Sequence, residues 1–385
     1  MKAIISYQIN SQKEKNYYKN LLTKSLLTQI CQNITGQGHY VVKELDDHYN
    51  VGRLLIIEYN GIKNYVSLSE KQAKGRNSSL QSAPSAYNLF IGDNANNKKL
   101  YFYFLSNDAS LYTEYHKLYY KIMATAGFVF LNHQTQYDFS PFASVGDLIS
   151  ARDENRGKNT GNASTYVTMT NNIVQVFAKT YGANKYESTL IAVACALLHK
   201  GVVHLYNVCE KDLKTLPKSS IDTLSKFNNL RILYASDQIP DKVGKQKVTV
   251  YRSPMYIYHL IEKFGPKKCV CCDCRIPELI QGAHIWNVSS IKKDPKLDEK
   301  TKSEYIVSED NGIWLCSNHH KLFDSNYITL TRKGTFKLSN TLGNETNDYI
   351  RSITKNYNLP LNLLTKKMLF FISKRTASNR KNVAQ

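Results

Sequence analysis

The chain has 385 residues, of which 42% are hydrophobic, and this suffices for two domains that each bury a core. Its 51 lysines and arginines exceed its 31 aspartates and glutamates, and the formal net charge of +20 favours a polyanion, nucleic acid above all, as partner. No apolar run reaches the length of about 18 residues that a membrane span needs, and no signal-peptide pattern is visible, so we expect a cytoplasmic protein without membrane contact.

Alternating helical and strand patterns over the N-terminal half predict a mixed α/β region. Helical periodicity runs over residues 14–33. Residues 52–70 predict two strands joined at Asn60-Gly61, a dipeptide typical of tight hairpins. The polar, serine-rich residues 71–86 predict a flexible loop, with an arm that becomes ordered on DNA as the alternative.

A strand over 98–105 and a helix ending at Gly127 come next, followed by a second polar stretch over 151–166. Beyond it, a strand over 172–180 and a helix over 188–201 enclose a short turn.

Three polar side chains of that turn, Lys179, Asn184 and Lys185, are predicted to contact DNA. An ordinary connection between strand and helix is the alternative. The N-terminal half lacks the pattern of an aspartate followed by a strand bearing Glu-x-Lys, which one common nuclease core requires. We therefore predict that this half recognises DNA and does not cut it.

The polar and basic residues 237–254 predict a boundary between two domains. The first, residues 1–245, is the recognition region, which can itself divide near 130–165. The second, residues 246–385, opens with a helix and has a core at 269–330 followed by a basic helical tail. Residues 330–385 carry eleven basic side chains against two acidic ones, which favours contact with phosphates.

Five of the eight cysteines fall within fifty residues of one another. Without a secretion signal, cysteines clustered near histidines predict metal ligands instead of disulfides. These cysteines are Cys269, Cys271, Cys272, Cys274 and Cys316.

Cys316 and His319 form a Cys-x-x-His pair, and a Cys-x-x-Cys pair would complete the four ligands of a structural Zn²⁺ site. The first pair is either Cys269 with Cys272 or Cys271 with Cys274. The former is favoured because Asp273, which follows Cys272, accepts positive φ more readily than an arginine does.

Adjacent histidines suggest two different metals. His320 is rotated by about 100° from His319 around a helix, so it cannot bind the same ion and faces His284 and Asn311 instead. The pattern C-x-x-C…GAHI…DNGIWLC-x-x-HHKLFD, over residues 269–330, resembles the HNH nuclease family. The resemblance implies a zinc-stapled ββα-metal domain. With the α/β recognition region predicted before it, the chain is expected to have a mixed α+β fold.

The resemblance also implies roles for three residues. His284 would be the general base, which suits an imidazole of ordinary pKa near 6.5. Asn311 would fix the hairpin and orient His284 or approach the metal. His320 would bind the catalytic ion, Mg²⁺ or Mn²⁺, with Asn311 as its companion.

One position departs from the family pattern. Many members carry a metal-binding residue directly before the general base, and Ala283 stands there in this chain. Asp310 or Asp324 would then supply the missing oxygen ligand. The insertion between the two halves of the motif carries Lys292 and Lys293, which are predicted to lie across DNA, with a solvated loop as the alternative.

The resemblance implies a type II restriction endonuclease that cuts double-stranded DNA in the bacterial cytoplasm. Cutting both strands with one active site per chain predicts a homodimer, and a cognate DNA methyltransferase would protect the same site. One alternative is an HNH endonuclease that requires modified bases. The other is a non-catalytic zinc-containing DNA-binding protein, which the alanine at position 283 favours.

Overall fold

The computed structural model describes residues 2–8, 22–45, 54–69, 76–106, 112–155, 165–179, 184–209, 216, 218–236 and 254–383. It confirms a mixed α+β fold. The chain divides into two compact units. One holds most of residues 1–233, and the other holds residues 234–385 with the short segments 168–171 and 208–212. The predicted boundary lies almost entirely outside the described residues. No described helix is long and apolar enough to cross a membrane.

The first unit alternates strands with helices. Its elements are β1 (Ala3–Gln8), α1 (Lys24–Thr35), β2 (Tyr40–Leu45), β3 (Leu54–Tyr59), β4 (Ile62–Leu68), α2 (Arg76–Gly92), β5 (Lys98–Tyr103), α3 (Glu114–Thr125), β6 (Val129–Leu131), α4 (Val145–Glu154), β7 (Tyr166–Thr170), β8 (Ile173–Lys179), α5 (Asn184–Leu198), β9 (Val202–Cys209), α6 (Lys218–Leu224) and β10 (Leu230–Ser236).

These strands form two sheets. The larger has the order β2-β1-β3-β4-β5-β6, and the smaller has the order β10-β9-β8-β7. In the larger sheet β3 pairs with β1 and β4 in antiparallel fashion, and the other pairs are parallel. The hairpin predicted at Asn60-Gly61 joins β3 to β4, and both turn residues have the positive φ that such a turn requires.

The serine-rich residues 71–86 were predicted to be a loop, and this is wrong from Arg76 onward, where helix α2 begins. The error arises because serine-rich segments are typical of polar, flexible loops. Here the small side chains instead let a helix approach the sheet closely. Ser82, Ala83 and Ala86 are buried, and the Ser82 hydroxyl donates a hydrogen bond to the Leu68 carbonyl of β4 (3.2 Å). Residues 71–75 of the predicted loop lie outside the described residues.

Many tyrosines of the first unit belong to its core. Tyr103, Tyr119 and Tyr120 are buried, and the ring of Tyr120 lies 5.7 Å from that of Phe102 and 5.3 Å from that of Phe104. Such rings stabilise the interior through area burial and edge-to-face contact. The count of 27 tyrosines therefore overstates the number available for stacking on bases.

The second unit surrounds a two-stranded hairpin with helices. Its elements are α7 (Pro254–Phe264), β11 (Ile280–His284), α8 (Val288–Lys293), α9 (Glu299–Val307), a 3₁₀ turn (Glu309–Asn311), β12 (Gly312–Cys316), α10 (Ser317–Asp324), β13 (Ile328–Leu330), β14 (Phe336–Leu338), α11 (Asn344–Ile353), a second 3₁₀ turn (Leu361–Leu363) and α12 (Lys366–Val383).

The residues predicted to form a basic helical tail are part of the folded second unit, which continues beyond residue 330 with β14, α11 and α12. Met368, Phe371 and Ile372 of α12 are buried. The insertion between the motif halves is likewise structured, since it forms α8 and α9, and a loop there is excluded.

Candidate functional site

The site is built on the hairpin of β11 and β12 and on helix α10, which follows β12 directly. The strands are antiparallel, with Ile280 opposite Cys316 and His284 opposite Gly312. Helix α7 lies against one face of this hairpin. A Cβ atom at Gly282 would approach the Leu260 side chain to 2.5 Å, so any larger residue there would have to displace that side chain.

Four ligand atoms converge between the hairpin and the loop after α7. The side chains of Cys269, Cys272, Cys316 and His319 place one donor atom each within 4.8 Å of the others. The sulfurs of Cys272 and Cys316 are 3.8 Å apart, and Nδ1 of His319 lies 3.7 Å from Cys269 Sγ and 3.1 Å from Cys316 Sγ. Tetrahedral zinc separates such atoms by roughly 3.5–3.8 Å, so the cluster fits Zn²⁺.

A second layer of hydrogen bonds orients the histidine ligand. The Thr354 hydroxyl donates to the Ile350 carbonyl (2.7 Å), so its oxygen accepts from Nε2–H of His319 (3.1 Å). With the proton on Nε2, the lone pair of Nδ1 points at the cysteines. This arrangement is typical of metal-bound histidines.

The cysteines of the cluster perturb one another. Hydrogen bonds from the thiols of Cys271 and Cys316 lower the pKa of Cys269 well below its ordinary value, while the pKa values of Cys271 and Cys316 are raised. Burial also raises the pKa of Cys272. A bound dication would deprotonate the remaining ligand thiols.

The cysteine pair favoured from the sequence, Cys269 with Cys272, is the pair whose sulfurs lie in the cluster. The reason given for this choice, a positive φ at Asp273, is wrong. The φ angle of Asp273 is not positive. Its carboxylate instead pairs with Lys355 Nζ at 3.0 Å. Cys274 contributes its backbone, because its carbonyl accepts from the Cys269 amide (3.0 Å) and closes the loop around the first two ligands.

His284 ends β11 with its ring held on two sides. Its Nε2 lies 2.9 Å from the Ile306 carbonyl of α9, and the Tyr256 ring of α7 stacks on it at 4.0 Å with an interplanar angle of 10°. A carbonyl only accepts hydrogen bonds, so the neutral ring carries its proton on Nε2 and its lone pair on Nδ1. That is the protonation state of a ring able to accept a proton.

Asn311 is fully buried and bridges two backbone segments. Its Oδ1 accepts from the Trp286 amide (2.8 Å), and its Nδ2 donates to the carbonyls of Trp286 and Tyr305 (both 3.0 Å). The asparagine therefore ties the exit of β11 to the end of α9. Its side chain is committed to backbone groups, which favours the hairpin-fixing role over the role of metal ligand.

His320 and Asp324 place a ring nitrogen and a carboxylate oxygen close together on one face of α10. Nδ1 of His320 lies 2.9 Å from Gln281 Oε1, and its Nε2 lies 3.3 Å from a carboxylate oxygen of Asp324. Because the Gln281 oxygen accepts from Nδ1–H, the lone pair of Nε2 faces a carboxylate. An imidazole nitrogen and a carboxylate oxygen are ligand types that divalent cations accept.

The other acidic candidate belongs to the scaffold. Asp310 is buried, and its Oδ1 lies 2.6 Å from Lys263 Nζ and 2.7 Å from the Thr365 hydroxyl. Asp324, by contrast, has a side chain 55% exposed and adjacent to His320. Ala283 is buried in β11.

The predicted DNA contacts are dispersed along the chain. Lys292 and Lys293 are exposed in the last turn of α8. Lys179 ends β8, and Asn184 and Lys185 begin α5. The side chains of these last three lie outside the described residues.

Sequence reasoning missed two groups that hold His284, namely the Tyr256 ring and the Ile306 carbonyl. A backbone carbonyl leaves no letter in the sequence, and an aromatic residue in an amphipathic helix reads as core. The only available signal was the position of the 255–265 helical pattern directly before the cysteines.

Comparison with known families matches one segment of the chain. Residues 269–331 match the family described as HNH endonuclease. The match spans β11, β12 and α10 and includes His284, Asn311 and His320. No curated protein matches the chain.

Proposed function

We propose that this chain, whose residues 269–331 form a domain of the HNH nuclease family, is a type II restriction endonuclease that hydrolyses double-stranded DNA at a specific site. The observation that supports the nuclease function is that the matched segment carries two kinds of group, a histidine with a basic nitrogen and a histidine–carboxylate pair. His284 offers an Nδ1 lone pair, and His320 with Asp324 offers a cation site.

His284 is the general base. Its Nδ1 takes a proton from a water molecule, the water oxygen bonds to the phosphorus, and the bond to the 3′ oxygen breaks. The hydrogen bond to Ile306 keeps the second ring proton in place during this step. Stacking against Tyr256 holds the ring plane, so the base does not have to be oriented anew in each turnover.

His320 and Asp324 would hold the catalytic ion, and Gln281 would fix the His320 tautomer. Bound there, Mg²⁺ or Mn²⁺ supplies positive charge to the scissile phosphate and the leaving oxygen. Asn311 acts indirectly by fixing the strand end that carries His284.

Zn²⁺ would bind at Cys269, Cys272, Cys316 and His319 and act structurally. With all four positions filled by protein, no site for water or substrate is left on that ion. The zinc would link the loop after α7 to the junction of β12 and α10.

The restriction role rests on the size and charge of the chain. The first unit has its own sheets and core, and the net charge is strongly positive. A large separate unit is suited to reading a short DNA site, with Lys179, Asn184, Lys185, Lys292 and Lys293 as contacts. A homodimer would place two active sites on a palindrome, and a methyltransferase would protect the host site.

Digestion of paired plasmids tests this proposal. The full chain is incubated with Mg²⁺ or Mn²⁺ and either unmethylated or methylated plasmid, and reactions without divalent ion serve as blanks. We expect discrete fragments from unmethylated DNA that require the ion. Fragments from methylated DNA alone would replace the restriction role by the modification-dependent one, and random degradation would refute site specificity.

A further inference from the structure

A buried arginine outside the matched segment contacts both halves of the proposed active site. Arg375 lies on α12 and is 8% exposed. Its Nη1 donates to the Ile285 carbonyl (3.1 Å), and its Nη2 donates to the Phe323 carbonyl and to Asn326 Oδ1 (2.9 Å). The guanidinium also lies over the Phe323 ring, 3.9 Å from its centroid.

The positions of these acceptors give the contacts their meaning. Ile285 directly follows His284, and Phe323 directly precedes Asp324. One guanidinium therefore bonds the backbone beside the proposed base and the backbone beside the proposed ion ligand. Arginine suits this task because its donors point in fixed directions from one rigid plane, which the single ammonium of a lysine cannot reproduce.

The charge of Arg375 is poorly compensated for a buried group. Within the described part of the chain, no carboxylate forms an ion pair with it at 4.0 Å or less, and its acceptors are two carbonyls and an amide. Burial lowers its pKa to about 10, which the nearby Asp324 partly opposes, so the side chain stays charged at neutral pH. An apolar residue would fill the same space without this desolvation penalty, so packing alone does not explain an arginine here.

We propose that Arg375 is a positioning residue that sets the distance between His284 and the ion held by His320 and Asp324. This inference rests on the proposed function. If the clamp is released, the end of β11 and the last turn of α10 lose their common anchor. The separation between base and ion then varies from molecule to molecule, although each group is still present.

Paramagnetic relaxation measures that distance without relying on cleavage. The full chain is labelled at histidine, and Mn²⁺ broadens the ring resonances of a nearby His284 with a steep dependence on distance; His284→Ala assigns the signal. The series comprises wild type, Arg375→Met, Arg375→Lys and a control, Thr376→Ala. Thr376 is the next residue of α12, and its hydroxyl bonds only within that helix among the contacts described (Ile372 carbonyl, 2.9 Å).

We expect Mn²⁺ to broaden His284 strongly in wild type and in the Thr376 variant, and several-fold less in both Arg375 variants. Single-turnover cleavage at saturating DNA should fall at least 10-fold in parallel, with zinc content and DNA affinity unchanged. If Arg375→Met does not fold, Arg375→Lys, which keeps the charge and most of the stem, carries the test.

Two results separate the inference from the proposed function. Equal broadening in wild type and both Arg375 variants would overturn the positioning role, whatever the cleavage rates are. Weaker broadening in the variants together with no cleavage by wild type would refute the nuclease function while the positioning role stands. A wild type in which Mn²⁺ leaves His284 unaffected would overturn the ion site and the positioning role together.

Discussion

Replacing Asn311 by aspartate separates a positioning role from a ligand role at this residue. The two side chains have nearly the same shape, but the substitution turns the Nδ2 donor into an oxygen. The Trp286 amide keeps its acceptor, whereas the carbonyls of Trp286 and Tyr305 each lose a donor and then face a carboxylate. At about 1–3 kcal/mol for each buried group left unsatisfied, the expected loss is about 2–6 kcal/mol.

A loss of this size is a large part of the total stability of about 5–15 kcal/mol that is typical of a folded domain. The loss of stability can be measured in the second unit by tryptophan fluorescence, because both tryptophans of the chain, Trp286 and Trp314, lie there. Urea unfolding followed by tryptophan fluorescence should give a lower midpoint for Asn311→Asp. Lowering the pH should narrow the gap, since a protonated aspartate can donate one hydrogen bond.

If Asn311 were an ion ligand, Asn311→Asp would instead strengthen ion binding and leave the stability of the unit unchanged. A carboxylate would bind Mn²⁺ more tightly than an amide does. Tighter Mn²⁺ binding, with an unfolding midpoint equal to that of the wild type, would refute the assignment of Asn311 to backbone bridging.

Three further outcomes follow from contacts elsewhere. Tyr256→Leu should slow cleavage roughly 10-fold or more by releasing the His284 ring, with DNA affinity unchanged, whereas Tyr256→Phe keeps the stack and should stay near the wild-type rate; equal rates for the two variants would contradict this. Thr354→Val removes the partner of His319 Nε2 and should weaken zinc affinity by about 10–100-fold in a chelator competition, and unchanged zinc retention would count against that hydrogen bond. Hydrogen bonds from Lys63 and Tyr65 hold the pKa of Asp93 well below its ordinary value, so its stabilisation exists above the unfolded pKa near 4 and is lost as the pH falls below it; unfolding titrations should show a smaller loss of stability in acid for Asp93→Asn than for wild type.

Residues that carry chemistry by their own side chains were the ones that the sequence revealed. A metal site needs particular side chains at short spacings, so the Cys316–His319 pair of the cluster could be recognised in the sequence. The hairpin at Asn60-Gly61 was equally legible, because few dipeptides accept positive φ at both positions.

Groups that contact the site from distant parts of the chain could not be recognised in the sequence. Ile306 contributes a carbonyl, which every residue has, and Arg375 reaches the site from a helix ninety residues after Ile285. The polar insertion hid two helices because its apolar positions are few and their partners lie elsewhere in the unit. Helix α2 was predicted to be a loop because serines and a proline favour loops, although burial of its small residues outweighs the weak helix propensity of serine and proline.

The measurement that tests the nuclease most directly compares wild type with His284→Ala on supercoiled plasmid, with DNA affinity measured for both proteins. The substitution removes the Nδ1 lone pair that faces away from Ile306. We predict that cleavage falls by about 10²–10⁴-fold while DNA affinity and zinc content change little. Cleavage that survives in His284→Ala, or a wild type that binds DNA tightly and never cuts it, would contradict the assignment of His284 as the general base.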